Sequence, residues 1–558
     1  MSILTSQKLK LAELIKSALE QLINQGEIKP VSVPEFNLEI PKDKAHGDFA
    51  SNIALVLAKQ AGLAPRELAT KIAEILKTNE EIEKVEVAGP GFINFFLSNH
   101  WLYNVLQRIE TEQLNYGSCD YGQGERVLLE FVSANPVGPM NVVNARAAAI
   151  GDSLARILRA VGFDVATEYY VNDAGVQTVN FGRSLLARYR QLDNPEYPFP
   201  EDGYPGAYVI DLAKQLKDEA VDLDAMSETE QLEFCRRWGI EQMVNAQRED
   251  LRKFNVTFDR WFREQDLHDA HALENIIQLL TDRGFMYEAD GALWFRSTAF
   301  GDDKDRVIIK NDGNYTYVTA DIAYHYDKLQ RGFSKLIDIL GPDHHGYIGR
   351  MKAAVQALGY PADTLEILIL QYVALLRNGQ QVKMSKRAGE FITLQDLLDE
   401  VGRDAARYFF VMRSLDSHLD FDLTLAAEQS SENPVYYIQY AHARICSILG
   451  QAKQQNIELK PVTSVQFQLL NHDTEIDLMK KLAELPEEIL TAAVERAPHK
   501  IARYALDLAG LFHTFYTQCR ILGEDADIRD ARLTLINCVR IVIARVLDLL
   551  GIAAPERM

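Results

Sequence analysis

Hydrophobic spacing divides the chain into three regions. Over residues 4–25 apolar positions recur at Leu11, Leu14-Ile15, Ala18-Leu19 and Leu22, one face of a helix. The stretch KAHGDFASNIALVLAKQAG predicts a helix with Asp48 or Ser51 as its cap and Gly62 at its end. Pro65 opens the next helical pattern, PRELATKIAEILK, at a position where its missing N–H is harmless. Val85 and Val87 then alternate with Lys84 and Glu86, Gly89-Pro90-Gly91 makes a turn, and Phe92 to Leu97 predicts a second strand. Residues 1–115 are therefore expected to form an α+β domain. The polar stretch GSCDYGQGE marks its junction with the second region.

That second region, 116–430, alternates strand and helix patterns. Val127-Leu128-Leu129 continuing to Phe131-Val132 predicts a buried strand, broken by a loop carrying Asn135-Pro136 and Gly138-Pro139. Ile150, Leu154, Ile157-Leu158 and Val161 then recur at helical spacing before Gly162, and Phe163 to Val171 predicts another strand. Such a strand–loop–helix unit is either a plain crossover or, through its helix-start N–H groups, an anion site. Residues 176–290 read as a charged helical insertion, interrupted by the proline-rich DNPEYPFPEDGYPG. The α/β pattern returns with a hairpin at Asp312-Gly313, a strand ending in Gly341-Pro342-Asp343-His344-His345-Gly346, and a second hairpin at Asn378-Gly379. From residue 431 to 558 the pattern is helical throughout. The expected fold class is multidomain α/β: a Rossmann-like parallel-sheet core with a helical insertion, an N-terminal α+β domain and a C-terminal all-α domain.

Composition narrows the function classes. The 558 residues are 47% hydrophobic and 25% charged, values of a soluble globular chain, and no apolar run is long enough to span a bilayer. The N-terminus lacks the apolar core of a signal peptide, and the five cysteines are scattered, so a reducing cytoplasm is expected, with no disulfide framework and no structural metal. A net charge of −21 argues against a generic nucleic-acid binder but leaves room for local basic patches.

The most specific chemical signal is Lys383-Met384-Ser385-Lys386, two lysines three apart between Gly379 and Gly389. Such a pair suits a polyphosphate whose charge grows as a phosphoanhydride breaks, although a solvated basic loop would read the same without a phosphate site opposite. Here the chain resembles the arginyl-tRNA synthetase family of class I aminoacyl-tRNA synthetases. KMSK matches one class signature, and EFVSANPVGP matches the strand and loop before the other, the HIGH tetrad. YVNDAG, YPGAY, YVTADIA and the terminal APERM are similar to family blocks, and HGDFASNIA and AGPGFINFF to its N-terminal domain, which contacts the tRNA elbow. One departure stands out: the tetrad falls on Asn141-Val142-Val143-Asn144, with asparagine at both histidine positions and valine at the glycine.

The resemblance implies ATP-dependent attachment of L-arginine to tRNA(Arg) through an arginyl-adenylate, with AMP and pyrophosphate released and tRNA bound before the adenylate forms. Asn141, Asn144, Lys383 and Lys386 take the catalytic positions. Glu130, Tyr317 and Asp321 would recognise the guanidinium, a cation that calls for carboxylates in fork geometry and an aromatic wall. Ser133 and Asn135 would hold the amino-acid end. Asp343, His345, Met384 and Ser385 join the two asparagines and two lysines around ATP, which enters as substrate with Mg²⁺. Tyr436, Tyr440 and Arg444, in the stretch NPVYYIQYAHARICSIL with Tyr437 and His442, would meet unstacked anticodon bases. A monomer is expected. The rival expectation is a catalytically impaired relative that binds tRNA or arginine in a regulatory role.

Overall fold

The computed structural model describes residues 2–36, 38–382 and 392–558. Its N-terminal part packs α1 (Ile3–Asn24), α2 (Ile53–Ala61) and α3 (Pro65–Leu76) on a three-stranded antiparallel sheet of β1 (Phe49–Ser51), β2 (Ile82–Ala88) and β3 (Phe92–Leu97), and α4 (His100–Glu112) comes next. Asn52, not Asp48 or Ser51, is the N-cap residue of α2. The Ser51 Oγ still accepts the Ile53 N–H at 3.2 Å, whereas Asp48 turns to the Leu97 N–H at 2.8 Å.

The central part is built on a five-stranded parallel sheet. Its strands are β4 (Arg126–Glu130), β5 (Asp164–Val171), β6 (Arg260–Arg263), β10 (Lys335–Leu340) and β11 (Leu365–Ile369), in the order β11-β10-β4-β5-β6. Helix α5 (Val142–Ala160) joins β4 to β5. Its Gly151 lies against Phe131, where an added Cβ would sit 2.2 Å from the ring. The chain leaves the sheet at Glu130 and does not continue as strand through Val132, because Val132 (φ 74°) and Ser133 (φ 43°) are both left-handed. Two such residues in a row are costly, the β-branched valine most of all, and backbone of this kind concentrates at functional sites.

Helices α6 (Val176–Gln191), α7 (Ala207–Asp218) and α8 (Glu228–Lys253) form the insertion, which ends at β6, a strand inside the stretch expected to be mostly helical. The four residues Arg-Trp-Phe-Arg are too short and too charged to announce a strand; pairing to β5 makes them one. Beyond it lie α9 (Glu264–Asp269), α10 (Ala272–Asp282) and a small sheet of β7 (Met286–Ala289), β8 (Ala292–Phe295) and β9 (Arg306–Ile309). At Asp312-Gly313 the returning arm makes one bridge, Ile309 to Tyr315, before α11 (Tyr317–Gln330) begins.

Helix α12 (Tyr347–Ala357) comes after β10, and β12 (Val373–Arg377) and β13 (Gln380–Gln381) form the expected hairpin, with Asn378 and Gly379 both at positive φ. After α13 (Leu394–Val401), α14 (Arg403–Val411), β14 (Leu419–Asp422) and α15 (Leu423–Ala427) come four long helices, α16 (Pro434–Gln454), α17 (Asp473–Val494), α18 (Pro498–Gln518) and α19 (Ala526–Leu549). The first helix of the chain docks on this bundle: Ser2, Thr5 and Lys8 all bond Glu487, at 3.1, 2.6 and 2.9 Å. Among the described residues no helix is long and apolar enough to cross a membrane.

Candidate active site

The site is assembled at the carboxyl end of β4. Glu130 closes the strand and is buried, 6% exposed. A buried carboxylate without partners would be strongly unfavourable; here Oε1 accepts the Ser133 hydroxyl at 2.9 Å and Oε2 accepts the Lys328 ammonium at 2.6 Å. The Ser133 Oγ also accepts the Tyr170 N–H at 3.1 Å, so the left-handed turn is pinned to β5.

The rest of the loop is held by β5 and by residues of the insertion. The Tyr169 hydroxyl donates to Gln247 Oε1 at 2.8 Å and accepts the Ala134 N–H at 3.1 Å. The Gln247 amide donates to the Asn135 and Gly138 carbonyls at 3.2 and 3.0 Å, and the Tyr208 hydroxyl donates to the Val137 carbonyl at 2.6 Å. Asn135 itself is exposed, its amide donating to Gln177 at 2.9 Å.

Asn141 and Asn144 form a reciprocal cap at the start of α5. Asn141 Oδ1 accepts the Val143 and Asn144 N–H groups at 2.9 and 3.2 Å, and Asn144 Oδ1 accepts the Asn141 N–H at 3.1 Å. The carbonyl oxygens are thus committed to the helix, while the amide N–H groups remain the donors these residues can offer a ligand.

Arg146, wholly buried one turn further on, donates to the carbonyls of Gln371, Ser414 and Ser417 at 2.9, 2.9 and 3.0 Å. It ties α5 to the segment leading into β12. The basic loop after β13 is the Lys383–Lys386 stretch, with Met384 and Ser385, and it lies outside the described residues.

Across the site, α11 presents Tyr317 in its first turn and Asp321 one turn later, on the same face. Tyr317 is 78% exposed, neither a core aromatic nor enclosed by a pocket wall. Among the described residues the Asp321 carboxylate accepts no hydrogen bond. Burial raises its pKa to about 7; the charges of Glu264 and Glu130 add to the rise, and His325 and Arg350 oppose it. Glu264, at the start of α9, is a further acid facing this space; like Glu130 it is buried, and burial raises its pKa. Tyr324 is buried beside these acids and Tyr170 and Tyr347 are half-buried there, each hydroxyl pushed up by desolvation and by the neighbouring carboxylates. An acid-rich, aromatic-walled recess of this kind suits a planar delocalised cation. Asp343 and His345 are exposed in the loop after β10, where Asp343 accepts the Tyr372 hydroxyl at 3.4 Å.

The structure adds Gln247, Tyr208, Glu264 and Lys328 to the residues that the sequence singles out. Only Tyr208 carries any signal there, inside YPGAY; the others sit in ordinary helical patterns.

In the C-terminal bundle, Tyr436 stacks on Tyr440 (centroids 6.3 Å apart, 8° between planes) and Tyr440 on His513 (5.9 Å, 19°). The Arg444 guanidinium lies 5.1 and 5.3 Å from the Tyr440 and Tyr516 rings. His442 is not part of this face: it is buried, with Nδ1 2.8 Å from the Pro555 carbonyl, where it holds the C-terminal tail.

Comparison with known proteins gives one picture along the whole chain. Residues 9–97 match the arginyl tRNA synthetase N-terminal domain, 106–417 the catalytic domain of class I (R) tRNA synthetases, and 438–558 the DALR anticodon binding domain. An arginine--tRNA ligase of Symbiobacterium thermophilum is 50% identical over 99% of this chain and 100% of its own, and one of Desulforamulus reducens is 49% identical over 99% of each. The solved Thermus thermophilus arginyl-tRNA synthetase superposes at a TM-score of 0.74 over 99% of this chain and 100% of that one; at 22% identity it speaks for the fold. With its three domains matched in order and half of its residues shared with full-length relatives, the chain belongs to the arginyl-tRNA synthetase family.

Proposed function

We propose that the protein ligates L-arginine to tRNA(Arg). The observation that carries this reading, beyond family membership, is the acidic recess at the carboxyl end of β4 in which the charges of Glu130 and Glu264 act on Asp321. The arginine carboxylate attacks the α-phosphate of ATP, a P–O bond forms, and pyrophosphate leaves. A ribose hydroxyl at the tRNA 3′ end then attacks the acyl carbon of the adenylate, and AMP leaves.

The chain's own residues position and stabilise. Glu130 and Asp321 take the guanidinium, with Tyr317 in the turn above, and Ser133 and Asn135 take the amino-acid end. The amides of Asn141 and Asn144 donate towards ATP phosphates, Asp343 and His345 line the nucleotide, and Lys383 and Lys386 meet the charge that develops on pyrophosphate. Mg²⁺ is read as part of the nucleotide substrate. Tyr436, Tyr440 and Arg444 take anticodon bases. The protein is read as a cytoplasmic monomer, and light scattering of the purified chain would check the monomer.

Charging assays with purified protein, tRNA, ATP and each amino acid in turn test the activity. Arginine alone should be esterified. A protein that binds tRNA and arginine yet forms no arginyl-tRNA would make the regulatory reading the correct one.

A further inference from the structure

Beneath the amino-acid recess lies a buried charge relay that takes no part in the bond-making steps. Asp321, His325 and Lys328 sit at i, i+4 and i+7 on one face of α11. Both ring nitrogens of His325 face acceptors: Nδ1 lies 2.7 Å from the Asp321 backbone carbonyl, and Nε2 lies 2.9 Å from Asp338 Oδ2. The other oxygen of Asp338 accepts the Lys328 ammonium at 2.9 Å, and the same ammonium reaches Glu130 Oε2 at 2.6 Å. Lys328 is wholly buried, lies 4.3 Å from the Tyr324 ring, and is also within the field of Glu168, which Arg331 pairs at 2.7 Å.

Burial works against the Lys328 ammonium, yet Asp338, Glu130 and Glu168 outweigh it and hold its pKa above the ordinary lysine value. A well-packed apolar side chain would fill this space at less risk, because a buried ion pair adds little net stability while breaking one is severe. The pairing gives the relay a purpose. Lys328 bonds both Glu130 and Asp338, and His325 bonds the other oxygen of Asp338, whereas Asp321 has no cation bonded to it among the described residues.

We propose that Lys328 is a positioning residue for arginine selection, acting through Glu130: it fixes the plane of that carboxylate and occupies part of it, so that the guanidinium docks with its fork on Asp321 and one edge on Glu130. This rests on the assignment of Glu130 and Asp321 to the guanidinium. Lys328 touches no substrate; its effect reaches arginine only through the carboxylate it holds.

A double-mutant cycle tests it, using the full-length enzyme with tRNA, ATP and arginine. Lys328→Met should raise the KM for arginine about tenfold and leave the KM for ATP within about twofold. Because Glu130 and Asp338 then lack their cation, the acidic limb of kcat/KM for arginine should move to higher pH. The groups facing that site are Glu130, Asp338, Glu168, His325, Tyr324 and Arg331, with Asp321 and Glu264 across the recess.

Lys328→Met/Glu130→Gln should match Glu130→Gln alone in arginine KM. Multiplying effects in the double variant, or equal rises in the arginine and ATP KM values, would overturn the proposal in favour of a merely structural role. If Glu130→Gln itself leaves arginine KM unchanged, the pocket assignment fails instead. Should Lys328→Met not fold, Asp338→Asn decides. With its second anion gone, Lys328 turns wholly to Glu130, and arginine KM should still rise with ATP KM steady; an unchanged arginine KM there would overturn the proposal.

Discussion

Asn141 and Thr393 face each other across an isolated antiparallel bridge, and the adjacent Leu394 donates its N–H to the Met140 carbonyl at 2.8 Å. The bridge joins two helix starts: Asn141 caps the helix at the asparagine tetrad, and Thr393 caps α13. The cap and the proposed donor role can be separated at Asn141. Asn141→Ala should lose about 1 kcal/mol of stability with the cap, and kcat with the amide donor. Asn141→Asp should keep the melting temperature, because a carboxylate caps as well, yet raise the KM for ATP by repelling its phosphates. An aspartate variant that turns over like wild type would show that the amide does not face the nucleotide.

If Lys386 meets the charge that grows as pyrophosphate departs, Lys386→Ala should lower kcat by about 10²-fold and change the KM for ATP far less. Pre-steady-state measurement of adenylate formation in the presence of tRNA reads this directly. An equal single-turnover rate would remove the loop from the chemistry.

Arginine binding should depend on pH if Asp321 takes the guanidinium as proposed. Its carboxyl, with a pKa of about 7, must ionise to meet the guanidinium, so arginine KM should fall as pH rises from about 6 to about 8. Asp321→Asn should raise KM and flatten that profile, with Glu130→Gln also raising KM and Tyr317→Ala, at its exposed position, doing least. The folded pKa is above the unfolded one. The stability gained by keeping Asp321 neutral is therefore fully present below about pH 4 and lost as pH rises through about 7. Unfolding of Asp321→Asn measured across that window should lack this component.

Gly151→Ala should destabilise by roughly 1–3 kcal/mol or more, since the new Cβ would meet the Phe131 ring at 2.2 Å. The displaced ring is next to Glu130, so arginine KM should rise as well. Phe131→Leu in the same chain should restore part of both, read by thermal unfolding and steady-state kinetics.

Arg444→Ala removes a guanidinium that lies against two tyrosine rings, and Tyr440→Ala removes the middle of the stack. Each should weaken tRNA binding by about 1–3 kcal/mol without changing arginine KM, because base stacking acts far from the amino-acid recess. Filter binding with tRNA transcripts distinguishes this from a general loss of fold.

The sequence by itself determined whatever periodicity and local chemistry can encode. The amphipathic helices, the strand–loop–helix unit at Arg126 to Gly162, the turn at Asn378-Gly379 and the family blocks around Glu130 and Asp321 were all legible, because each depends on residues close together along the chain. Tertiary structure alone decided the rest. Arg260–Arg263 is a strand only because β5 offers it an edge, and Val132-Ser133 turns left-handed only because Tyr170 and Glu130 hold Ser133 from two sides. Gln247 and Tyr208 reach the active-site loop from an insertion more than seventy residues away. Lys328, read along the chain, is one more polar residue near the end of a helix. Only the packing of α11 against β4 and β10 buries it between two carboxylates, where low dielectric turns an ordinary lysine into the counter-charge of the recess.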